Sequence, residues 1–206
     1  MNARPRSWRA PLAVLIVSLF SGAVLKVVDG YTAARAGMAA EQHLLRDLRQ
    51  VLPPGYDNDV LKEAVQFTDP DYFGGREKLA IYPARRAGVL IGAALAITSA
   101  PGYNAPLRLM IGVEAEGRLH AVRVLEQHET AGLGANVDPR HSDWLARFSG
   151  RSLSDPPPER WSVRPDGGEF DALSGATITS RAVTNALHQG LALYAAHRDE
   201  IASPPR

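Results

Sequence analysis

Two short segments carry residue types and spacings that could do chemistry. The first is Asp171-Ala172-Leu173-Ser174-Gly175-Ala176-Thr177-Ile178-Thr179-Ser180, standing directly before an amphipathic stripe. Its small and hydroxyl-bearing residues let backbone approach an anion closely, and free N–H groups at a helix start attract negative charge. Thr177 sets an alcohol beside that position. The same residues also read as an ordinary helix cap, since Ser, Thr and Asp commonly open helices. The second segment is His128-Glu129-Thr130-Ala131-Gly132-Leu133-Gly134, after a predicted strand. Gly132 and Gly134 permit a turn with exposed amides that would edge a planar ligand; the plain alternative is a glycine-rich loop. The segment lacks the third glycine and the following helix of a dinucleotide-binding turn.

Composition limits what such segments can serve. The chain has 206 residues, 45% hydrophobic and 22% charged, which fits one globular domain plus an appendage and excludes wholesale disorder. Lys and Arg number 23 against 22 Asp and Glu, a net charge of +1, with no long basic run. A nucleic-acid partner bound through phosphate neutralisation is therefore not expected. The absence of cysteine excludes disulfides, thiolate zinc sites, cysteine-ligated iron–sulfur clusters and thiol nucleophiles. Redox chemistry would need a bound organic cofactor. His43, His120, His128, His141, His188 and His197 have no close spacing, so no metal site is predicted. Asp57, Asp59, Asp69 and Asp71 lack the spacing of a calcium loop and read as solvated turn acids. Neither a Gly-x-Ser-x-Gly elbow nor a Ser-x-x-Lys pair occurs, so hydrolase chemistry has no support.

The elements that must position these segments follow from periodicity. Ala33 to Leu52 carries Ala36, Ala40, Leu44, Leu48 and Val51 at helical spacing, stopped by Pro53-Pro54-Gly55. A short helix is predicted around Asp59 to Phe67, with turns at Asp69-Pro70-Asp71 and Gly74-Gly75. Strands are predicted from Lys78 to Tyr82, over Val89–Ile97, over Leu107–Val113 and over Leu119–Leu125. The second of these is apolar enough to be covered on both faces. The third puts Leu107, Leu109, Ile111 and Val113 on one face, and Glu116-Gly117 turns the chain into the fourth. A helix is predicted over Pro139–Phe148, and Arg151 to Glu159 reads as a surface connection. The last helix runs from about Thr179 to near His197, with Val183, Ala186, Leu187, Gly190, Leu191 and Tyr194 on one stripe. The fold class is α+β.

The N-terminus points to a membrane. Pro11 to Val28 is apolar except for Ser18, Ser21, Gly22 and Lys26. Eighteen helical residues extend about 27 Å, close to the thickness of a bilayer's hydrocarbon core. Arg4, Arg6 and Arg9 precede it, and Trp8 and Tyr31 flank it at belt positions. This predicts an N-terminus (1–10) in the cytoplasm, a transmembrane helix over 11–28 and everything after about Asp29 outside the cytoplasm, as in a bacterial periplasm. The rival is a signal peptide cleaved after Ala34-Arg35-Ala36, a site eight residues beyond an apolar run already long for a leader.

In order and spacing these segments resemble the G subunit of the Rnf (Rsx) electron-transport complex. The chain is more distantly similar to the C subunit of the sodium-translocating NADH:quinone reductase. The resemblance covers nearly the whole chain. It is strongest in Ile81-Tyr82-Pro83-Ala84-Arg85-Arg86, Gly102-Tyr103, Gln127-His128-Glu129-Thr130, Gly132-Leu133-Gly134, Ser142-Asp143-Trp144 and Asp166-Gly167-Gly168 through Thr179. Asp171 to Thr177, an Asp-x-x-Ser-Gly-Ala-Thr pattern, is its specific element and looks like the family's flavinylation signal. Ala131 and Ala105 depart from the family, which usually has Pro and Gly there.

The resemblance implies FMN bonded through its phosphate to the hydroxyl of Thr177, installed from FAD by a separate flavin transferase with Mg²⁺. Leu173, Ser174, Gly175, Ala176 and Thr179 would surround the attachment. Glu129, Thr130, Leu133 and Gly134 would contact the flavin ring, with Trp144 packed nearby. Asp171 would either serve recognition by the transferase or cap backbone amides. The implied organisation is a helical connector over 29–75 and a periplasmic FMN-binding α+β domain over 76–206. The implied role is an inner-membrane subunit relaying electrons between partner subunits of an ion-translocating complex, without independent activity; lipid, partner subunits and transferase are its partners. Two alternatives stand beside it. One is a membrane-anchored sensor or assembly module, which would need an output domain that the ten or so residues before the apolar segment are too few to form. The other is a periplasmic protein holding flavin without a covalent bond.

Overall fold

The computed structural model describes residues 9–68 and 79–203, leaving aside the side chains of 9–11, 13, 16, 19, 23, 27–34 and 36. Arg4, Arg6, Trp8, the turns at 69–71 and 74–75, and the side chains of Arg9 and Tyr31 lie outside the described residues. The chain divides into two units, Met1–Leu44 and Leu45–Arg206. Helix α1 (Arg9–Val51) is continuous over 43 residues. In its first part Leu12, Val14, Leu15, Val17, Phe20, Val24 and Leu25 are all exposed. Among the described residues, no helix is long and apolar enough to cross a membrane.

The second unit is built on a five-stranded antiparallel meander, β1 (Val65–Phe67), β2 (Leu79–Arg86), β3 (Val89–Pro101), β4 (Pro106–Glu114) and β5 (Leu119–Glu126), in sequence order. The β2–β3 hairpin turns at Ala87 and Gly88, both with positive φ, which matches the twist of the flanking strands. Helix α2 (Thr177–Ala202) lies on one face of the sheet. Ile81, Leu95 and Ile111 align across three strands, and with Ile97 and Leu109 they meet Val183, Leu187 and Leu191 of α2 in one core. At Gly190 the helix lies too close to the sheet for a side chain: a Cβ there would lie 2.5 Å from Ile111 Cδ1.

The opposite face is covered in part by the end of α1. A Cβ on Gly112 would lie 1.7 Å from the Val51 carbonyl oxygen, so only glycine fits beneath the last turn of that helix. Leu48, Val51 and Leu52 are buried there, and Arg123 of β5 pairs with Asp47 at 2.6 Å. Burial of β3 on both faces follows from these two helical covers. The second unit thus takes in part of the stretch read as a helical connector.

Two predicted helices are absent. Asp59 to Phe67 forms a turn and then β1, because Val65 and Phe67 gain more by pairing with Ile81 and Leu79 than a segment too short to nucleate a helix could gain alone. Pro139 to Phe148 is not a helix either; a 3₁₀ turn over Trp144–Phe148 occupies its end. Side chains there compete for the backbone: the Asp138 carboxylate accepts the Arg140 N–H at 2.9 Å, and Ser142 Oγ donates to the Asn136 carbonyl at 2.5 Å.

Candidate functional site

Helix α2 opens at Thr177, two residues earlier than its apolar stripe predicts. Its N-cap is Ala176 (φ −134°, ψ 43°), and no side chain caps its first turn. The capping role expected of Ser, Thr or Asp is therefore not taken up at this end. The loop is held instead by Ser180, one turn inside the helix and fully buried. Its hydroxyl accepts the Leu173 N–H at 2.9 Å and donates to the Ala176 carbonyl at 3.0 Å. The Ala176 N–H donates to the Leu173 carbonyl at 3.0 Å, closing the turn. The sequence is small here for a reason: Gly175 has φ +70°, and a Cβ on it would come within 2.9 Å of Leu133.

Leu133 belongs to the second segment, which follows β5 and curls into a 3₁₀ turn over Gly134–Val137. Gly132 takes φ +78°, and the Thr130 carbonyl accepts N–H groups from Leu133 and Ala135, each at 3.1 Å. The two segments enclose a cleft of about 560 Å³, with Tyr103, Glu129, Thr130, Leu133 and Gly134 on one side and Gly175 to Thr179 on the other. That volume falls within the roughly 300–1,000 Å³ typical of small-molecule sites. A larger groove of about 690 Å³ runs past Tyr82, Thr98, Arg108 and Leu125. Its lining holds the exposed Arg108–Glu126 pair but no helix start, so the smaller cleft is the candidate site.

The Glu129 carboxylate accepts a hydrogen bond at each of its oxygens. Thr179, fully buried, donates its hydroxyl to Oε2 at 2.5 Å. The Asn104 N–H donates to Oε1 at 3.0 Å, and the Asn104 amide donates to the His128 carbonyl at 2.8 Å. Around the cleft, ion pairs fix the approaching chain. Asp166 accepts two hydrogen bonds from Arg181 at 2.5 and 2.6 Å, and these hold its carboxyl below the usual carboxylate range. The hydrogen bonds from Arg140 do the same for Asp138, just past the second segment.

Of the residues expected at the site, the fold brings together Glu129, Thr130, Leu133, Gly134, Gly175, Ala176, Thr177 and Thr179. Ser174 is exposed beside them, and Leu173 packs against the core. Trp144 does not line the cleft: it is buried, edge-on to Phe148, with its indole N–H donating to the Asp171 carbonyl at 2.6 Å. Among the described hydrogen bonds Asp171 caps no amide; its carboxylate pairs with Arg147 at 2.6 Å and Arg164 at 3.1 Å. Tyr103 and Ile178, both largely exposed, line the cleft and were not expected there. An exposed aromatic beside a glycine, as in Gly102-Tyr103, was the available signal. Among the described residues no three His, Asp or Glu side chains converge as a metal site requires.

Residues 102–192, which contain both segments, match the FMN-binding domain family. The chain is 37% identical to the G subunit of the ion-translocating oxidoreductase complex of Cereibacter sphaeroides over 205 residues, covering 97% of this chain and 91% of the relative. It is 36% identical to the protein of the same name from Pseudomonas aeruginosa over 197 residues, covering 95% and 92%. Among solved structures it is similar to Shewanella oneidensis NqrC, with a TM-score of 0.50 and 21% identity, covering 70% of this chain and 74% of that one. That last likeness concerns the fold alone. Identity of this extent to the first two, end to end, means that the chain belongs to the family of G subunits of ion-translocating oxidoreductase complexes.

Proposed function

We propose that this protein is a membrane-anchored flavoprotein subunit that relays electrons through FMN bonded, by its phosphate, to Thr177. The observation that carries the reading is the position of Thr177. Its residue is partly exposed, opens α2 and lines the same cleft as the glycine-rich segment. A phosphodiester on that hydroxyl keeps one negative charge beside a helix N-terminus that no side chain caps. Leu133 and Ile178, which line the cleft, offer a flat ring apolar surface. When bound, the flavin supplies the electron chemistry, accepting and passing electrons between other redox subunits of the complex.

The chain's own residues bind and orient. Ser180 holds the acceptor loop on the helix, Thr130 and Gly132 shape the facing turn, and Glu129 stands fixed between Thr179 and Asn104. Among the described hydrogen bonds of the cleft, none joins Thr177 to a general base, which suits an acceptor loaded by a separate flavin transferase. The ion pairs that Asp171 makes with Arg147 and Arg164 suit a residue that shapes the approach to the acceptor loop.

Anchoring in the bacterial inner membrane, N-terminus inside and domain in the periplasm, rests on the Pro11–Val28 run, the arginines before it and the exposed apolar side chains of α1. A covalent tether then retains the flavin where no cytoplasmic supply reaches it. The test is flavin fluorescence of the denatured chain in a gel, after co-expression with a flavin transferase. Thr177→Val should abolish the signal; an undiminished signal would overturn the attachment.

A further inference from the structure

The cleft contains one fixed charge, and it is negative. Among its lining residues only Glu129 is charged; no Lys or Arg lines it. Three separate parts of the chain, residues 102–104, Gly134 and Thr179, surround that carboxylate. Thr179 donates to Oε2 at 2.5 Å and the Asn104 N–H to Oε1 at 3.0 Å. A Cβ on Gly134 would lie 2.4 Å from Oε2, and one on Gly102 would lie 2.7 Å from Oε1. These two glycines leave room for the carboxylate and nothing larger. Both donors are neutral, so they fix the charge without cancelling it. Such an arrangement selects a position for an anion, whereas a carboxylate needed only for solubility would face water with no partners.

We propose that Glu129 sets the flavin's reduction potential, holding it low by opposing the negative charge that electrons bring to the ring. This rests on the reading that FMN occupies the cleft. Two electrons with two protons give a neutral reduced flavin, and two electrons with one proton give its anion. A fixed carboxylate beside the ring raises the free energy of any reduced form that carries net negative charge. The effect is larger in a cleft bounded by apolar side chains than in water, because the effective dielectric is lower. Gly102, Asn104, Gly134 and Thr179 are positioning residues for that charge. The electron donor is a partner redox subunit in the complex and dithionite, oxidised to sulfite, in the titration.

The experiment is a dithionite titration of the full-length, flavin-loaded protein in detergent, comparing wild type with Glu129→Gln and Glu129→Asp. Glu129→Gln, which keeps the shape and removes the charge, should favour reduction by tenfold or more, a positive shift of about 30 mV for a two-electron couple. Glu129→Asp, which keeps the charge, should stay closer to wild type. An unchanged potential in Glu129→Gln, or an equal shift in both variants, would overturn the proposal. Leu133→Lys is the second arm, since it leaves the carboxylate's partners intact and adds a cation to the cleft; it too should shift the potential upward, and no shift would count against the proposal. In-gel fluorescence of the same denatured samples reports the covalent bond separately. Loss of fluorescence in the wild type would sink the attachment to Thr177, whereas an unmoved potential in fluorescent variants sinks only the role of Glu129.

Discussion

Gly134 shows how tightly single positions are specified around the cleft. Its missing Cβ would fall 2.4 Å from Glu129 Oε2 and 2.9 Å from Thr179 Oγ1, inside a hydrogen bond rather than beside one. Gly134→Ala should therefore push the two side chains apart and destabilise the domain by about 1–3 kcal/mol, the usual range for overpacking. A lowered urea midpoint at unchanged slope would report it, and a midpoint equal to wild type would refute the close packing. At this scale the sequence was informative about residue types. Glu129, Thr130, Leu133, Gly134 and Thr177 all stand out from their neighbours by chemistry or conformational freedom. The bond between Glu129 and Thr179 was not legible, because 50 positions separate its partners and neither residue alone marks the other. The place of Trp144 was not legible either: it packs in the core and donates to the Asp171 carbonyl, outside the cleft lining.

Helix α2 carries the acceptor at one end, and its other end is anchored by a buried arginine. Arg85 of β2 donates to the carbonyls of Ile201, Ala202 and Ser203, at 2.7 to 2.8 Å, and to Glu63 at 2.9 Å. The guanidinium thus satisfies carbonyls that the helix leaves without partners and sits at the negative end of its dipole. Arg85→Ala should cost about 3 kcal/mol, since it leaves the buried Ile201 carbonyl and the partly buried Glu63 carboxylate without their donor. Arg85→Lys should lose less, although one ammonium cannot reproduce the planar fork. Urea unfolding would measure both, and faster amide exchange near residue 201 would locate the loss; full stability in Arg85→Ala would contradict the clamp. Strand β4 was readable in outline because alternation of Leu107, Leu109, Ile111 and Val113 encodes one buried face. Strand β1 was not, because three residues have no periodicity to read, and their conformation depends on an edge supplied by β2.

For the molecule as a whole, the two units differ in the surface they expose. The second buries a continuous core between sheet and helix. The first exposes Leu12, Val14, Leu15, Val17, Phe20 and Leu25, large apolar side chains that water penalises and lipid does not. On the anchoring proposed above, the full-length protein should remain in the membrane pellet through an alkaline carbonate wash and leave it only with detergent. Recovery in the carbonate supernatant would reject the anchor.

Sequence by itself determined what is local: the apolar character of Pro11–Val28, the lack of thiol chemistry, the strand alternation of β4 and the small, hydroxyl-rich entry to α2. Each depends on neighbours a few positions away, through periodicity or backbone freedom. Tertiary structure alone decided which of these meet. The meander and the crossing of α2 over β3 and β4 place Thr177 in the same cleft as Gly134, direct Asp171 to Arg147 and Arg164, and enclose one carboxylate among neutral donors. Those are contacts between distant parts of the chain, and their existence depends on how the sheet and helix pack together, which no local pattern encodes.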